Sequence, residues 1–187
     1  MIKKGTGKTA ILMLHGRGGD AEDIISLSNY FNATSYAFSA EKHEWYPFSF
    51  LVERNKNEPY LKNNLKIINQ MISILKKEHN KVFLLGFSQG ACLALDYGSK
   101  YEIDGIIAFS GAFIGDEEEL PKKTKTKNVL ICCSSDDPFI PLERAKISAE
   151  IYKKNGANVI TNFYDGNTHF ISSKDIELAK KLIEKIN

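Results

Sequence analysis

The stretch Lys81–Gly98 reads KVFLLGFSQGACLALDYG and joins an apolar run to a helical one through a sharp turn. The run KVFLL is typical of a strand that is buried on both faces of a parallel sheet. Ser88 follows it between Gly86 and Gly90, in the GxSxG pattern of a turn that lifts a serine hydroxyl clear of the sheet. Glycines flank such a serine because larger side chains would collide there. The stretch therefore predicts an α/β fold and makes Ser88 a candidate nucleophile.

Strand-like and helix-like segments alternate along the rest of the chain, which is typical of a parallel sheet covered by helices. The other predicted strands are TAILMLH (9–15), TSYAFSA (34–40), DGIIAFSG (104–111), NVLICCSS (128–135) and NVITNFYDG (158–166). The predicted helices are DAEDIISLSNYF (20–31), PYLKNNLKIINQMISILKKEHN (59–80), GACLALDYG (90–98), PLERAKISAEIYKKNG (141–156) and SKDIELAKKLIEKI (173–186). We expect a doubly wound, mainly parallel sheet of about six strands in a single α/β domain over residues 1–187.

Composition and charge exclude several classes of protein. The chain has 187 residues with 26% charged side chains and a net charge of +2, and its basic run at 122–127 follows an acidic run at 116–119. That mixture favours a solvated loop over a nucleic-acid site. No apolar stretch reaches the ~20 residues of a membrane span, and the three cysteines show no disulfide framework. We expect a cytoplasmic protein without a nucleic-acid partner or membrane span; the sequence leaves a homodimer open.

Two glycine-rich stretches offer rival chemistry. Residues 5–9, GTGKT, lack the first glycine of a phosphate-binding loop and precede a strand, so we interpret them as a flexible terminus. Gly16, Gly18 and Ala21 match the relaxed dinucleotide fingerprint between a strand and a helix, and Glu41 lies where a ribose-binding acid would be. An NAD(P)-binding oxidoreductase is therefore the remote alternative. The same turn would also expose backbone N–H donors to any other anion.

A serine nucleophile needs a histidine base and an acid, on later strands and with the acid first in the chain. Asp137 follows the strand 128–135, and His169 follows the strand 158–166. Taken alone, Asp137 suits the turn before Pro138 and His169 suits an exposed loop. Taken with Ser88, they have the order and the shared sheet edge of a catalytic triad. We therefore predict Ser88, Asp137 and His169 as catalytic residues.

The remaining histidines and carboxylates lack metal-ligand spacing, and we expect no metal site. His15 is predicted to pack and hydrogen-bond under the loop that follows it. His43 and His79 are predicted to lie at the surface.

The one long irregular segment, residues 41–58, is rich in aromatic side chains, and loops of this length are usually functional. The predicted substrate-binding residues are Trp45, Tyr46 and Phe48 in this loop, with Phe113 and Phe139 beside other motifs. Each of these aromatics also suits burial of the loop itself. Because the chain has little material for a large lid, we expect an open cleft for small or medium acyl groups.

Five ordered motifs resemble the phospholipase/carboxylesterase branch of the α/β-hydrolase fold, which includes acyl-protein thioesterases and small bacterial carboxylesterases. The motifs are LHGRGGDAEDI (14–24), GFSQGACLAL (86–95), FSGAF (109–113), DDPFIPLERA (136–145) and YDGNTHF (164–170). Animal-type thioesterases of this branch have Leu-Gly after the HG of the first motif. Arg17-Gly18 in this chain is closer to the bacterial esterase pattern.

The resemblance implies that the backbone N–H groups of Arg17 and Gln89 form an oxyanion hole. It also implies cleavage of a small-molecule ester or thioester through an acyl-enzyme intermediate, without a cofactor. We interpret the chain as a carboxylesterase-like serine hydrolase, with lysophospholipase or acyl-protein thioesterase as the alternatives.

Overall fold

The computed structural model describes residues 1–186 and contains one seven-stranded sheet. The strands are β1 Ile2–Lys4, β2 Thr9–Leu14, β3 Thr34–Ala37, β4 Lys81–Phe87, β5 Gly105–Phe109, β6 Asn128–Ser134 and β7 Asn158–Tyr164. The α-helices are α1 Ala21–Ile25, α2 Tyr60–Glu78, α3 Gln89–Lys100, α4 Leu142–Lys154 and α5 Ser173–Ile186. The spatial order of the strands is β1-β3-β2-β4-β5-β6-β7.

The prediction of a mainly parallel, doubly wound sheet is confirmed, because every pairing except β1 with β3 is parallel. The predicted number of about six strands was one too low. Strand β1 has only three residues, two of them lysines, so it carries no apolar pattern. The stretch that follows it is not a free terminus, because the Thr34 hydroxyl donates to the Gly7 carbonyl at 2.7 Å.

Alternating side chains of the strands build two apolar layers, as the two-residue repeat of a strand requires. Leu12 and Leu14 of β2 pack with helices α2, α3 and α4 on one face. Ile11 and Met13 pack with α1 and α5 on the other face. The amphipathic stripe predicted for α2 is buried as expected; it comprises Leu61, Leu65, Ile68, Ile72 and Leu75.

Strand β7 differs from the other predicted strands because it lies at the edge of the sheet. Its residues are half-buried or exposed, whereas those of the central strands are buried. Helices α4 and α5 both contact β7, but within the described residues no further strand lies beyond it, and Asn162 donates a hydrogen bond to the buried Asp175 at 2.7 Å. Among the helices of residues 1–186, none is long and apolar enough to cross a membrane.

Candidate active site

Three loops at the carboxyl edge of the sheet bring the predicted catalytic side chains together. Ser88 follows β4, Asp137 follows β6 and His169 follows β7. Because these strands are parallel to one another through β5, their carboxyl ends lie at the same edge. Residues separated by 81 and 32 positions in the chain thereby come within hydrogen-bond distance of one another.

The turn between β4 and α3 holds Ser88 in an unusual backbone conformation. Ser88 has a φ of 53° and a ψ of −117°, which an L-residue adopts only where the surroundings enforce it. A Cβ at Gly86 would overlap the backbone of Gly90, and a Cβ at Gly90 would overlap the carbonyl of Leu14. The collision expected from the sequence is therefore present at both glycines. The strained turn fixes the position of the serine hydroxyl before any substrate binds.

The Ser88 hydroxyl, the His169 imidazole and the Asp137 carboxylate form a continuous hydrogen-bonded chain. His169 Nε2 lies 2.8 Å from Ser88 Oγ, and Nδ1 lies 2.9 and 2.8 Å from the two oxygens of Asp137. Since a carboxylate only accepts hydrogen bonds, Nδ1 carries the proton and Nε2 is free to accept from the serine. This arrangement can remove a proton from the Ser88 hydroxyl.

Asp137 is held by backbone donors as well as by the histidine. Its Oδ1 accepts the N–H groups of Phe139 and Ile140 at 2.9 and 3.0 Å, and its side chain is fully buried. The Asp137 carboxylate therefore does both things that the sequence suggested: it holds the turn around Pro138 and it contacts His169. The adjacent Asp136 is exposed and accepts a hydrogen bond from the Ser135 hydroxyl.

Two phenylalanines hold the imidazole in place. The His169 ring centroid lies 4.9 Å from that of Phe87 and 4.8 Å from that of Phe139, the latter in an edge-on arrangement. These contacts restrict the imidazole to the orientation in which it reaches Ser88. Phe139, which was predicted to bind substrate, lines a cavity beside Ser88 and also contacts the His169 ring.

The side chains of the two predicted oxyanion-hole residues clamp the loop 41–58, which we call the aromatic loop. The Gln89 amide accepts from the Trp45 N–H at 2.8 Å and donates to the Tyr46 carbonyl at 2.7 Å. The Arg17 guanidinium donates to the Tyr46, Pro47 and Phe48 carbonyls, at 2.8, 2.8 and 3.0 Å. Both side chains point into the loop, which leaves only their backbone N–H groups for an oxyanion.

The aromatic residues predicted to bind substrate divide into two groups. Tyr46, Phe48 and Phe139 line the cavity beside Ser88. Trp45 and Phe113 do not line it, because both are fully buried. The Trp45 indole donates to the His15 carbonyl at 2.8 Å, and its ring lies 4.9 Å from the His15 ring in a tilted arrangement, which anchors the loop.

Phe113 lies in the core under α4, where its ring stacks on Tyr152 at 5.2 Å. A substrate contact for either Phe113 or Trp45 was therefore the wrong prediction. Large apolar rings near a motif are as suitable for the core as for a pocket, and only the fold decides between them.

The prediction for His15 is confirmed, since its Nε2 accepts the Ala40 N–H at 2.9 Å under the aromatic loop. His43 is exposed as predicted. His79 is half-buried rather than fully at the surface, because its Nε2 lies 2.9 Å from the Tyr36 hydroxyl.

Two cavities meet at His169. The first, which we call the Ser88 cleft, has a volume of about 490 Å³ and contains Ser88, Gln89 and the aromatic loop among its lining residues. The second, which we call the α1 cleft, has a volume of about 410 Å³ and lies between the glycine-rich turn, α1 and the segment after His169. Gly16, Arg17, Phe87 and His169 line both.

The floor of the Ser88 cleft includes Cys92 and Tyr46, which the residue patterns did not identify as a pair. Cys92 lies four residues after Ser88, so it is on the same face of α3 one turn further on. Its thiol interacts with the Tyr46 hydroxyl and accepts the Ala112 N–H at 3.4 Å. Burial raises the pKa of the Cys92 thiol to about 11. The i, i+4 spacing was the available signal for Cys92.

The glycine-rich turn is poorly suited to a dinucleotide. The helix after it has only five residues, and Asp20 and Asp23 form a capping box at its start. Their carboxylates accept the N–H groups that a pyrophosphate would need, and they would repel its charge. Within residues 1–186, no group of three or more His, Cys, Asp or Glu side chains could hold a metal ion.

A family model and a solved structure both relate this chain to phospholipases/carboxylesterases. A family model described as phospholipase/carboxylesterase matches residues 2–187. The crystal structure of a phospholipase/carboxylesterase from Dyadobacter fermentans has a TM-score of 0.89 and 33% identity, covering 97% of this chain and 95% of that chain. The crystal structure of Zea mays acyl-protein thioesterase 2 has a TM-score of 0.81 and 18% identity, covering 98% and 95%, which supports the fold alone.

One curated relative adds a sequence match over part of the chain. Acyl-protein thioesterase 1 of Gibberella zeae is 27% identical over 112 residues, which are 56% of this chain and 48% of that relative. The match thus spans about half the length of that relative.

Proposed function

The chain belongs to the phospholipase/carboxylesterase family, and from that premise we propose that it is a serine esterase with Ser88, His169 and Asp137 as its catalytic triad. Membership of the family makes it a hydrolase that acts on esters. The observation that carries the finer proposal is the 2.8 Å contact between His169 Nε2 and Ser88 Oγ, with Nδ1 bonded to Asp137. This is the geometry of a general base beside a nucleophile.

The reaction proceeds in two acyl-transfer steps. Nε2 takes the hydroxyl proton of Ser88 while Oγ attacks the carbonyl carbon of the ester, and the imidazolium then gives that proton to the leaving oxygen. In the second step His169 removes a proton from water as the water oxygen attacks the acyl carbon. The bond from that carbon to Ser88 Oγ then breaks, the imidazolium returns the proton to Oγ, and the acid is released. Asp137 keeps the imidazole in the required tautomer and stabilises its charged form. No cofactor is needed for either step.

The negative charge of the tetrahedral intermediate falls to the backbone N–H groups of Arg17 and Gln89. Gln89 is the first residue of α3, where N–H groups have no partner within the helix. Arg17, on the glycine-rich turn, also lines the Ser88 cleft. The clamps made by both side chains hold the aromatic loop, and through it the shape of the cleft, around this position.

The Ser88 cleft suits a small or medium acyl group. Its walls are mainly apolar and aromatic, and Cys92 with Tyr46 closes its floor. Since the acyl carbon is bonded to Ser88 in the intermediate, the length of chain beyond it is limited by the distance to that floor. Thioesters form the second candidate class, favoured by the match to an acyl-protein thioesterase.

Three buried cysteines without disulfide partners support the expected cytoplasmic location.

The catalytic proposal is tested by hydrolysis of p-nitrophenyl butyrate. Ser88→Ala should remove turnover while circular dichroism shows an unchanged fold, because the variant lacks the hydroxyl that attacks the ester. Full activity of Ser88→Ala would exclude Ser88 as the nucleophile.

A further inference from the structure

The α1 cleft lies beside the catalytic histidine but not beside the nucleophile. His169 and Phe87 line both cavities, whereas Ser88 and Gln89 line only the Ser88 cleft. The α1 cleft continues from His169 toward the segment after it and toward helix α1. A substrate that spans the two cavities would therefore pass over the imidazole.

The chemistry of acyl transfer assigns a different part of the substrate to each cavity. The acyl carbon becomes bonded to Ser88 Oγ, so the acyl group belongs in the cavity that Ser88 lines. The leaving oxygen must lie within reach of His169 Nε2, because that nitrogen supplies its proton. We propose that the α1 cleft is the binding site for the leaving group and that it takes a neutral, apolar alcohol, an inference that rests on the proposed esterase function.

Apolar side chains dominate the part of the α1 cleft beyond the histidine. They are Ile24, Leu27, Phe87, Phe170 and Ile171. Phe170 is 53% exposed and Leu27 is half-buried, so both present surface that an aromatic or branched alcohol would cover. Covering this apolar surface removes it from water, which favours binding.

The charges around the α1 cleft disfavour a phosphate-bearing leaving group. Asp23 places a carboxylate at its edge. The Arg17 guanidinium is already bonded to three carbonyls of the aromatic loop and pairs with Glu44 at 3.2 Å. His15 adds no positive charge, because burial lowers its pKa and its Nε2 accepts a hydrogen bond from Ala40. A phosphate entering here would meet a carboxylate and no free cation among these lining residues.

The first test varies the alcohol at constant acyl group. The kcat/KM values for 1-naphthyl butyrate and methyl butyrate are measured, and their ratio is compared between variants so that the intrinsic reactivities cancel. In Leu27→Ala, the naphthyl-to-methyl ratio should fall about tenfold, because part of the apolar wall is lost. Phe170→Ala, at an exposed position, should lower the ratio in the same direction without risk to folding.

Leu178→Ala is the matched control. Leu178 is half-buried against the same core layer as Leu27, but it lies on α5 outside both clefts. The naphthyl-to-methyl ratio of kcat/KM in Leu178→Ala should equal that of the wild type. An unchanged ratio in both Leu27→Ala and Phe170→Ala, in enzymes that still hydrolyse the esters, would overturn the assignment of the α1 cleft and leave the esterase proposal standing.

The second test measures the effect of phosphate groups in the leaving group. Butyryl-coenzyme A and S-butyryl-N-acetylcysteamine share the same thioester and acyl group, but only the first carries phosphates. The neutral thioester should have the higher kcat/KM, and added salt should narrow the difference. A preference for butyryl-coenzyme A would contradict the neutral-alcohol assignment. If the wild type cleaved none of the four substrates, neither the two butyrate esters nor the two butyryl thioesters, the proposed function itself would be overturned.

Discussion

Arg54 of the aromatic loop donates two hydrogen bonds to the carboxylate of Asp96, at 2.8 and 2.7 Å. Asp96 is buried in α3, the helix that begins directly after Ser88, and it also pairs with Lys100 at 2.7 Å. The fold thus joins the loop that shapes the Ser88 cleft to the helix that begins directly after Ser88. Together with the clamps from Gln89 and Arg17, this pair fixes the loop from both of its ends.

Loss of this pair should cost stability. Asp96→Ala should lower the free energy of unfolding by about 1.5–3 kcal/mol, because the half-buried Arg54 would lose both hydrogen bonds to this carboxylate and keep the longer pair with Glu58 at 3.6 Å. Urea unfolding measures this difference. Glu150→Ala, which removes an exposed pair with Lys153, is the control and should leave the unfolding midpoint unchanged. Equal midpoints for the two variants would contradict the role given to Asp96.

The two adjacent aspartates provide a direct test of the acid in the triad. Asp137→Asn should lower kcat by about 10³–10⁴, because an amide at this position can donate to Nδ1 and favours the wrong tautomer. Asp136→Asn is the matched control and should retain wild-type kcat, since Asp136 bonds to Ser135 and not to His169. A comparable loss in both variants would show that Asp137 has no special part in catalysis.

Much of this arrangement was predictable from the residues, and the reasons differ from one position to another. The proximity of Ser88, Asp137 and His169 was predictable because each residue follows a strand of one parallel sheet, and the carboxyl ends of such strands lie at the same edge. Trp45 and Phe113 were misassigned because sequence proximity to a motif does not reveal which side of the backbone a ring occupies.

The edge strand β1 was missed because three residues cannot display a period. The side-chain clamps of Arg17 and Gln89 were hidden for a different reason. They depend on a loop that lies about 30 residues from Arg17 and more than 40 residues from Gln89 in the chain, and nothing in either local sequence indicates the contact.

The floor of the Ser88 cleft should set the acyl length. Cys92→Ala removes a sulfur atom from this floor, so the ratio of kcat/KM for p-nitrophenyl hexanoate over acetate should rise about tenfold. Cys132→Ala makes the same chemical change at a buried site in the opposite apolar layer, and its ratio should stay at the wild-type value. Identical ratios for the two variants would exclude Cys92 as the limit on chain length.

The cysteines themselves should be unreactive in the folded protein. Burial raises the pKa of Cys92 to about 11 and that of Cys133 to about 12, and the pKa of Cys132 is also raised well above its ordinary value. Since a thiol reacts as its thiolate, each remains protonated and inert below its raised pKa. Iodoacetamide near neutral pH should leave activity unchanged, with all three alkylated only after denaturation. Rapid loss of activity in iodoacetamide would contradict this prediction, because it would show that a thiol, Cys92 in the Ser88 cleft first of all, reacts in the folded protein.

The central claim is that Ser88 is the nucleophile, and a fluorophosphonate probe tests it most directly because the reagent forms a covalent bond only with an activated hydroxyl. Mass spectrometry of the digested adduct should locate the phosphonate on Ser88 in the wild type and in iodoacetamide-treated protein, and should find none in folded Ser88→Ala. An adduct on any other residue, or equal labelling of the Ser88→Ala variant, would contradict the account.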